Sequence, residues 1–265
     1  ATHMVSLPEP AGVPPMATTP ASPMRSVDRA FDVLGVLEDA RHPLRLSDVA
    51  RRASLHVATA QRILNVLVER GYAAKEDTGY LAGPAAVATA HAFLVNNRLS
   101  PVAMPVLQEL AATTGLTPTL FVRVGAARVP VARVEGRNPL RYQLPIGDKL
   151  PLHLGAGKAL LAWLPEDEQA GLVAAATPFT LASGKQITAD DLTTELRNVR
   201  ADGYALADSE RVLDVTSVSA PILKGDTLLG ALSIVGSSTD LPEGAYPRVV
   251  TEVRRAAEAI AARCP

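Results

Sequence analysis

The stretch over 46–81, LSDVARRASLHVATAQRILNVLVERGYAAKEDTGYL, constrains the fold most, because its apolar spacing passes from helical to alternating without an intervening linker. Ser47 is placed as an N-cap, and Val49, Ala50 and Ala53 share one face of the short helix that follows. Ser54, Leu55 and His56 supply a turn in which Leu55 plugs the space between two helices. The second helix is predicted over 57–70 and ends at Gly71, a residue that tolerates the left-handed C′ conformation. Along it Ala60, Ile63, Leu64 and Leu67 gather on one side, and Gln61, Arg62, Asn65 and Glu69 on the other. Segments 72–75 and 80–81 read as two short strands joined by Glu76-Asp77-Thr78-Gly79. Helix, turn, helix and hairpin in immediate succession make a winged helix-turn-helix.

Charge points the same way. Between Arg41 and Lys75 seven Arg and Lys residues stand against Asp48 and Glu69, a local excess of five positive charges in a chain whose net charge is −1. Affinity for a duplex comes largely from neutralising phosphates, so it is the local balance that matters. Gln, Arg and Asn side chains can also pair bidentately with base edges. Winged helices serve as protein-protein modules too, and that reading stays open on topology alone.

At 265 residues the chain suits two domains, and no apolar run is long enough to span a membrane. Cys264 is the only cysteine, which leaves no internal disulfide framework and makes a reducing cytoplasm the natural setting. Residues 1–24 hold six prolines and one charge, Glu9, and are expected to be disordered, with Ala1 to His3 read as a vector-derived scar ahead of Met4. The DNA-binding domain is expected over 25–83. It opens with a helix over 26–40, capped by Ser26 and carrying Val27, Ala30, Phe31, Leu34 and Leu37 at helical spacing. A brief strand over 44–46 extends the hairpin.

A linker helix follows over 84–99. Its Val87, Phe93, Leu94 and Val95 exceed what one small domain covers, so it is a candidate dimer contact. From residue 100 to 265 strand pairs mix with helices, the mark of an α+β domain. Helices are expected from 101 or 105 to 114, over 155–164 and 166–175, from a Thr188-to-Asp191 capping box to about Gly203, and over 243–263. Strands are expected over 119–124, 128–134, 142–146, 204–208, 217–223 and 227–235.

Catalytic chemistry finds little support. Gly155-Ala156-Gly157-Lys158-Ala159 lacks the glycine at Leu152 and the hydroxyl at Ala159 that a phosphate loop requires. What it keeps is a glycine-rich turn before a helix, whose backbone N–H groups favour an anion. The five histidines are scattered and have no metal-ligand spacing, so neither a metal nor another cofactor is expected. Asp208, Ser209 and Glu210 alternate in direction along a strand end and read as solvated charges. An enzyme built on the second domain would need convergent side chains that this pattern does not offer.

In order and spacing RSVDRAFDVLGVLEDA, LSDVARRASLHVATAQRILNVLVERGY, YLAGPA, IGDKLPLHLGAGKALLAWL, DGYALADSER and SAPILKGDTLLGALSIVGSS resemble the IclR family of bacterial transcriptional regulators. The resemblance implies a winged-helix domain, a linker helix and a GAF-like effector-binding domain, assembled as a dimer or a dimer of dimers on a roughly palindromic operator. In that family the recognition helix usually begins Ser-Thr-x-His-Arg, where this chain has Ala58, Thr59, Ala60, Gln61 and Arg62. Ser47, Thr59, Gln61, Arg62, Asn65 and Lys75 are therefore the expected DNA contacts.

The same resemblance places an effector site at Gly155, Ala156, Ala207, Asp208, Ser217, Ser233 and Val235. Relatives that bind small keto acids use an Asp where this chain has Ala207, a Cys where it has Ser217, and a serine where it has Val235. The expected effector is accordingly a carboxylate-like or amide-like compound with a larger apolar or aromatic body than glyoxylate.

Overall fold

A computed structural model describes residues 24–137 and 144–264, and these form two compact units divided in the chain after Asn96. The first unit runs α1 (Arg25–Glu38), α2 (Leu46–Arg52), α3 (Val57–Glu69), β1 (Ala73–Glu76), β2 (Gly79–Ala82) and α4 (Ala85–Asn96). Val33, Leu37, Val49, Leu64, Ala73 and Tyr80 make its core, with Leu55 packed against them as the turn between α2 and α3 requires. Each fully buried leucine or valine stabilises the unit by about 1.5–3 kcal/mol. Gly71 ends the recognition helix at φ +73°, as expected. β1 and β2 pair antiparallel, and Leu44 bridges to Tyr80 by reciprocal backbone hydrogen bonds of 2.9 and 2.8 Å.

Two caps differ from expectation. α2 begins at Leu46 with Arg45 in the N-cap position, so Ser47 lies inside the helix and caps nothing. The Leu46 side chain packs on the core and draws the first turn back past the serine. α1 likewise begins at Arg25, and the Met24 carbonyl rather than Ser26 receives the first backbone N–H groups. α4 is apolar on all sides, yet none of its residues is buried.

The second unit runs α5 (Leu99–Thr114), β3 (Thr117–Val124), β4 (Ala127–Arg133), β5 (Leu150–Pro151), α6 (Ala156–Leu161), α7 (Glu166–Ala176), β6 (Phe179–Thr180), β7 (Gln186–Ile187), α8 (Ala189–Asp202), β8 (Ala205–Asp208), β9 (Val215–Lys224), β10 (Thr227–Ser237), a short 3-10 turn at Glu243–Ala245, and α9 (Tyr246–Arg263). The Thr188–Asp191 capping box forms at the start of α8 as expected. Its hydrogen bonds from Thr188 hold the Asp191 carboxyl below the usual carboxylate range. Of the strand expected over 142–146, the first two residues lie outside the described residues, and Leu144 and Pro145 lead into a turn at Ile146 and Gly147. The Gly147 N–H bonds to the Pro130 carbonyl there, and Gly147 takes φ +95°, outside strand geometry.

Six strands form one antiparallel sheet in the order β5-β4-β3-β10-β9-β8. Period-two alternation sorts its side chains. Leu120, Val218, Ala220, Ile222, Leu232 and Ile234 pack with α5 and α9 on one face. Phe121, Ala205 and Ala231 pack with α6, α7 and α8 on the other. The result is the α+β class expected, and the layered sheet is consistent with the GAF-like label. Among the described residues no helix is long and apolar enough to cross a membrane.

Candidate functional site

On α3 the buried face holds Ala60 and Leu64, and Arg62 and Asn65 on the opposite face are exposed. Ser47 and Lys75 are also exposed, and Thr59 is half-buried. Gln61 is half-buried and engaged within the chain. Its amide nitrogen donates to Asn65 Oδ1 at 2.8 Å and to the Tyr80 hydroxyl at 3.2 Å. With both amide hydrogens committed, Gln61 offers only its Oε1 acceptor to a base, and Asn65 keeps its Nδ2 donor. Tyr80 thus orients the polar face from the hairpin, a role its place in an alternating strand does not signal. In the same unit Arg45, Arg52, Arg62, Arg70 and Lys75 are exposed, and Arg51 shares its charge with Asp48 at 3.1 Å.

In the second unit a cavity of about 90 Å³ opens between the sheet and the glycine-rich turn. Gly155, Ala156, Ala207, Ser217, Ser233 and Val235 line it, so six of the seven effector candidates meet there. Asp208 does not. It is exposed, and its carboxylate accepts from the Thr216 hydroxyl at 2.6 Å, on the other side of the strand. The sheet adds Thr117, Thr119 and Phe121 from alternate positions of β3, and Arg128 and Arg133 from β4. Strand register sets Arg133, Thr119, Ser233 and Ser219 in one row. Within that row the Ser219 hydroxyl donates to Ser233 at 2.9 Å. Two arginines in a strand otherwise rich in Val and Ala are the available signal for this pocket.

Arg128 is 5% exposed. Its guanidinium donates to the Pro151 carbonyl at 2.6 Å and to the Leu154 carbonyl, and lies 5.4 Å from the Phe121 ring centroid. Nearby His153 sits against Phe179 at 4.5 Å between ring centroids. Burial, and then the Arg128 charge, push its pKa down from 6.5 to about 4.

The turn itself is shaped by packing. Gly155 has φ +53°, and a Cβ there would meet the Arg128 guanidinium at 3.2 Å, whereas one on Gly157 would collide with the Leu152 backbone. Glu210 closes the turn. Its Oε2 accepts the Gly155 N–H at 2.8 Å, and its Oε1 pairs with Lys158, which is 1% exposed and also pairs with Glu195. Glu210 is therefore not the solvated charge expected of a strand end. After Asp208 the chain leaves the strand at Ser209, with φ +50°, so the alternation that would turn Glu210 outward no longer applies.

Residues 91–262 match the family model described as the bacterial transcriptional regulator IclR C-terminal domain, and residues 26–77 match the IclR helix-turn-helix domain. The HTH-type transcriptional regulator XynR of Escherichia coli K12 is 30% identical over 220 residues, covering 80% of this chain and 85% of the relative. The HTH-type transcriptional regulator BhcR of Paracoccus denitrificans Pd 1222 is 32% identical over 222 residues, covering 80% of this chain and 77% of that one. Among solved structures, an IclR homologue from Microbacterium hydrocarbonoxydans complexed with 4-hydroxybenzoate shares the fold, with a TM-score of 0.71 at 22% identity over 89% of this chain and 98% of that one.

Proposed function

The chain belongs to the IclR family of bacterial transcriptional regulators, and from that premise we propose that it binds operator DNA through α3 and the β1–β2 hairpin under control of a small carboxylate held in the cavity of the second unit. The observation that carries the DNA half of this reading is the outward face of α3. Arg62 and Asn65 are exposed there, in a unit that also exposes Arg45, Arg52 and Arg70, while Ala60 and Leu64 anchor the helix from behind. A guanidinium on such a face suits a guanine edge in the major groove, and the surrounding charges suit phosphates.

The cavity supports the regulatory half. It is small, its walls mix hydroxyls with Phe121, Leu144, Val215 and Val235, and three arginines, Arg128, Arg133 and Arg211, line it. These features favour an anionic compound with an apolar or aromatic body, and 4-hydroxybenzoate in the Microbacterium homologue is of that kind. Such a ligand regulates DNA binding only if it prefers one arrangement of the protein over another. The uncovered apolar surface of α4 supports assembly as a dimer or a dimer of dimers, which presents two recognition helices to the halves of a palindrome.

A mobility-shift titration with the DNA upstream of the chain's own gene tests the reading. A shift that survives excess unrelated duplex, and that weakens steeply with salt, is the expected result. A protein that binds that DNA no better than random duplex overturns it.

A further inference from the structure

We propose that Arg133, and not the glycine-rich turn, receives the effector's negative charge, and that the effector is an aromatic monocarboxylate. The inference rests on the effector-binding reading above and narrows it to one residue and one class of compound.

The turn is already occupied. Its Gly155 N–H is bonded to the Glu210 carboxylate, and that carboxylate is held in place by buried Lys158. A ligand anion brought there would face a fixed charge of its own sign, which disfavours ionisation of both. Arg128 is also engaged, by two backbone carbonyls and the face of Phe121, and Arg211, the third arginine of the lining, follows Glu210 in the chain and has an interaction of its own.

Arg133 is held less tightly than Arg128, and the difference lies in the terminal nitrogens. Both side chains line the cavity and bury an Nε that has no hydrogen-bond partner among the described residues, but that of Arg133 is 12% exposed and its terminal nitrogens make only long contacts. One terminal nitrogen reaches the Leu144 carbonyl at 3.3 Å. The other lies 3.6 Å from Glu135, a carboxylate that is 55% exposed and so well solvated. A guanidinium carries five N–H donors in a planar fork that matches a carboxylate edge. Leaving such donors buried and unfilled is costly, and a bound carboxylate removes that cost.

The surroundings set the rest of the ligand. Thr119 stands beside Arg133 in register, and Ser233 stands beside Thr119, so a row of hydroxyls leads away from the guanidinium. Val215, Val235 and Leu144 form the apolar wall. At the ~10–15 Å³ that one water needs, about 90 Å³ holds roughly six to nine water-sized groups, room for a benzoate. Glu210 lines the same cavity, so a second carboxylate on the ligand would share it with a charge of its own sign.

Calorimetric titration of the full chain with benzoate and with benzamide tests the assignment, because the two share a shape and differ in charge. The wild type is expected to bind benzoate about tenfold more tightly than benzamide, a charge-assisted fork being worth roughly that factor. Arg133→Gln should erase the preference while leaving benzamide binding within about threefold, Arg133→Lys should restore part of it, and Glu210→Gln should keep it. Benzoate binding unchanged in a folded Arg133→Gln protein, a preference lost in Glu210→Gln instead, or no benzoate binding by the wild type would each overturn the proposal. Operator binding measured on the same samples separates the two claims. A protein that shifts its DNA but whose preference between the probes survives Arg133→Gln defeats only the anion assignment. One that distinguishes them through Arg133 but ignores operator DNA defeats the regulatory reading.

Discussion

The Glu210 carboxylate accepts the Gly155 backbone N–H at 2.8 Å, so the chain supplies its own anion to the turn that its sequence offers to a ligand. Glu210 also shares Lys158 with Glu195, and Lys158 has almost no access to water. Removing one partner of a buried charge cluster typically costs about 3–5 kcal/mol, and here Glu195 retains part of the pairing. Glu210→Ala is therefore expected to destabilise the protein by about 2–3 kcal/mol in urea denaturation. Glu210→Gln should cost less, because its amide oxygen still accepts from Gly155. Equal midpoints for Glu210→Ala and wild type would show that the cluster is not structural.

Arg62→Ala should weaken operator binding by about 1–3 kcal/mol and relax the preference at one base position. Lys75→Ala should instead weaken all sequences alike and lower the salt slope by about one. Anisotropy titrations against operator variants at several salt concentrations distinguish the two patterns. A uniform loss in Arg62→Ala would reassign that arginine to the phosphates.

Tyr80→Phe deletes the hydroxyl that orients Gln61 and returns one amide hydrogen to it. The expected outcome is a net change of about 0.5–1.5 kcal/mol in stability. A change in which base is preferred opposite Gln61 should accompany it, while Arg62's position is unaffected. An unaltered binding profile would mean that the hairpin has no say in readout.

His153 confers a pH dependence. Its folded-state pKa, about 4, lies below the unfolded value near 6.5, so the unfolded chain takes up the proton first. Stability is undiminished above pH 6.5 and falls as the pH drops toward 4, by on the order of 3 kcal/mol at most. His153→Phe should flatten that limb of the stability profile. A limb of unchanged slope would place its origin in other groups.

The α4 surface gives a prediction about assembly. Val87, Phe93, Leu94 and Val95 are all exposed, and Phe93→Glu combined with Leu94→Glu should convert the proposed dimer to monomer in light scattering and reduce operator affinity. The first unit should keep its helical content, since no residue of α4 is buried in its core. A double variant that still elutes as a dimer would move the contact elsewhere.

Local rules make the first unit legible. Ala60 and Leu64 at helical spacing, Gly71 as a stop and Asp77 in the turn each act within a few residues, and the structure follows them. The caps depart from those rules because Leu46 answers to the core and not to Ser47. In the second unit the long strands of the sheet and the Thr188 cap are readable, and the family resemblance points to six of the sixteen residues that line the cavity. Arg128, Arg133 and Lys158 are not readable, because what makes them unusual is burial by elements far away in the chain. Glu210 escapes for a related reason: strand alternation says nothing about a residue past the strand's end.

The bridge between Leu44 and Tyr80 ties the hairpin to the segment joining α1 and α2. A two-stranded ribbon is marginal in water by itself, and this tie gives it a further point of attachment before any nucleic acid arrives. On the DNA-binding reading proposed above, little ordering is then left to be done at the phosphates, so the wing would meet a groove as a pre-formed finger and surrender little conformational freedom on contact.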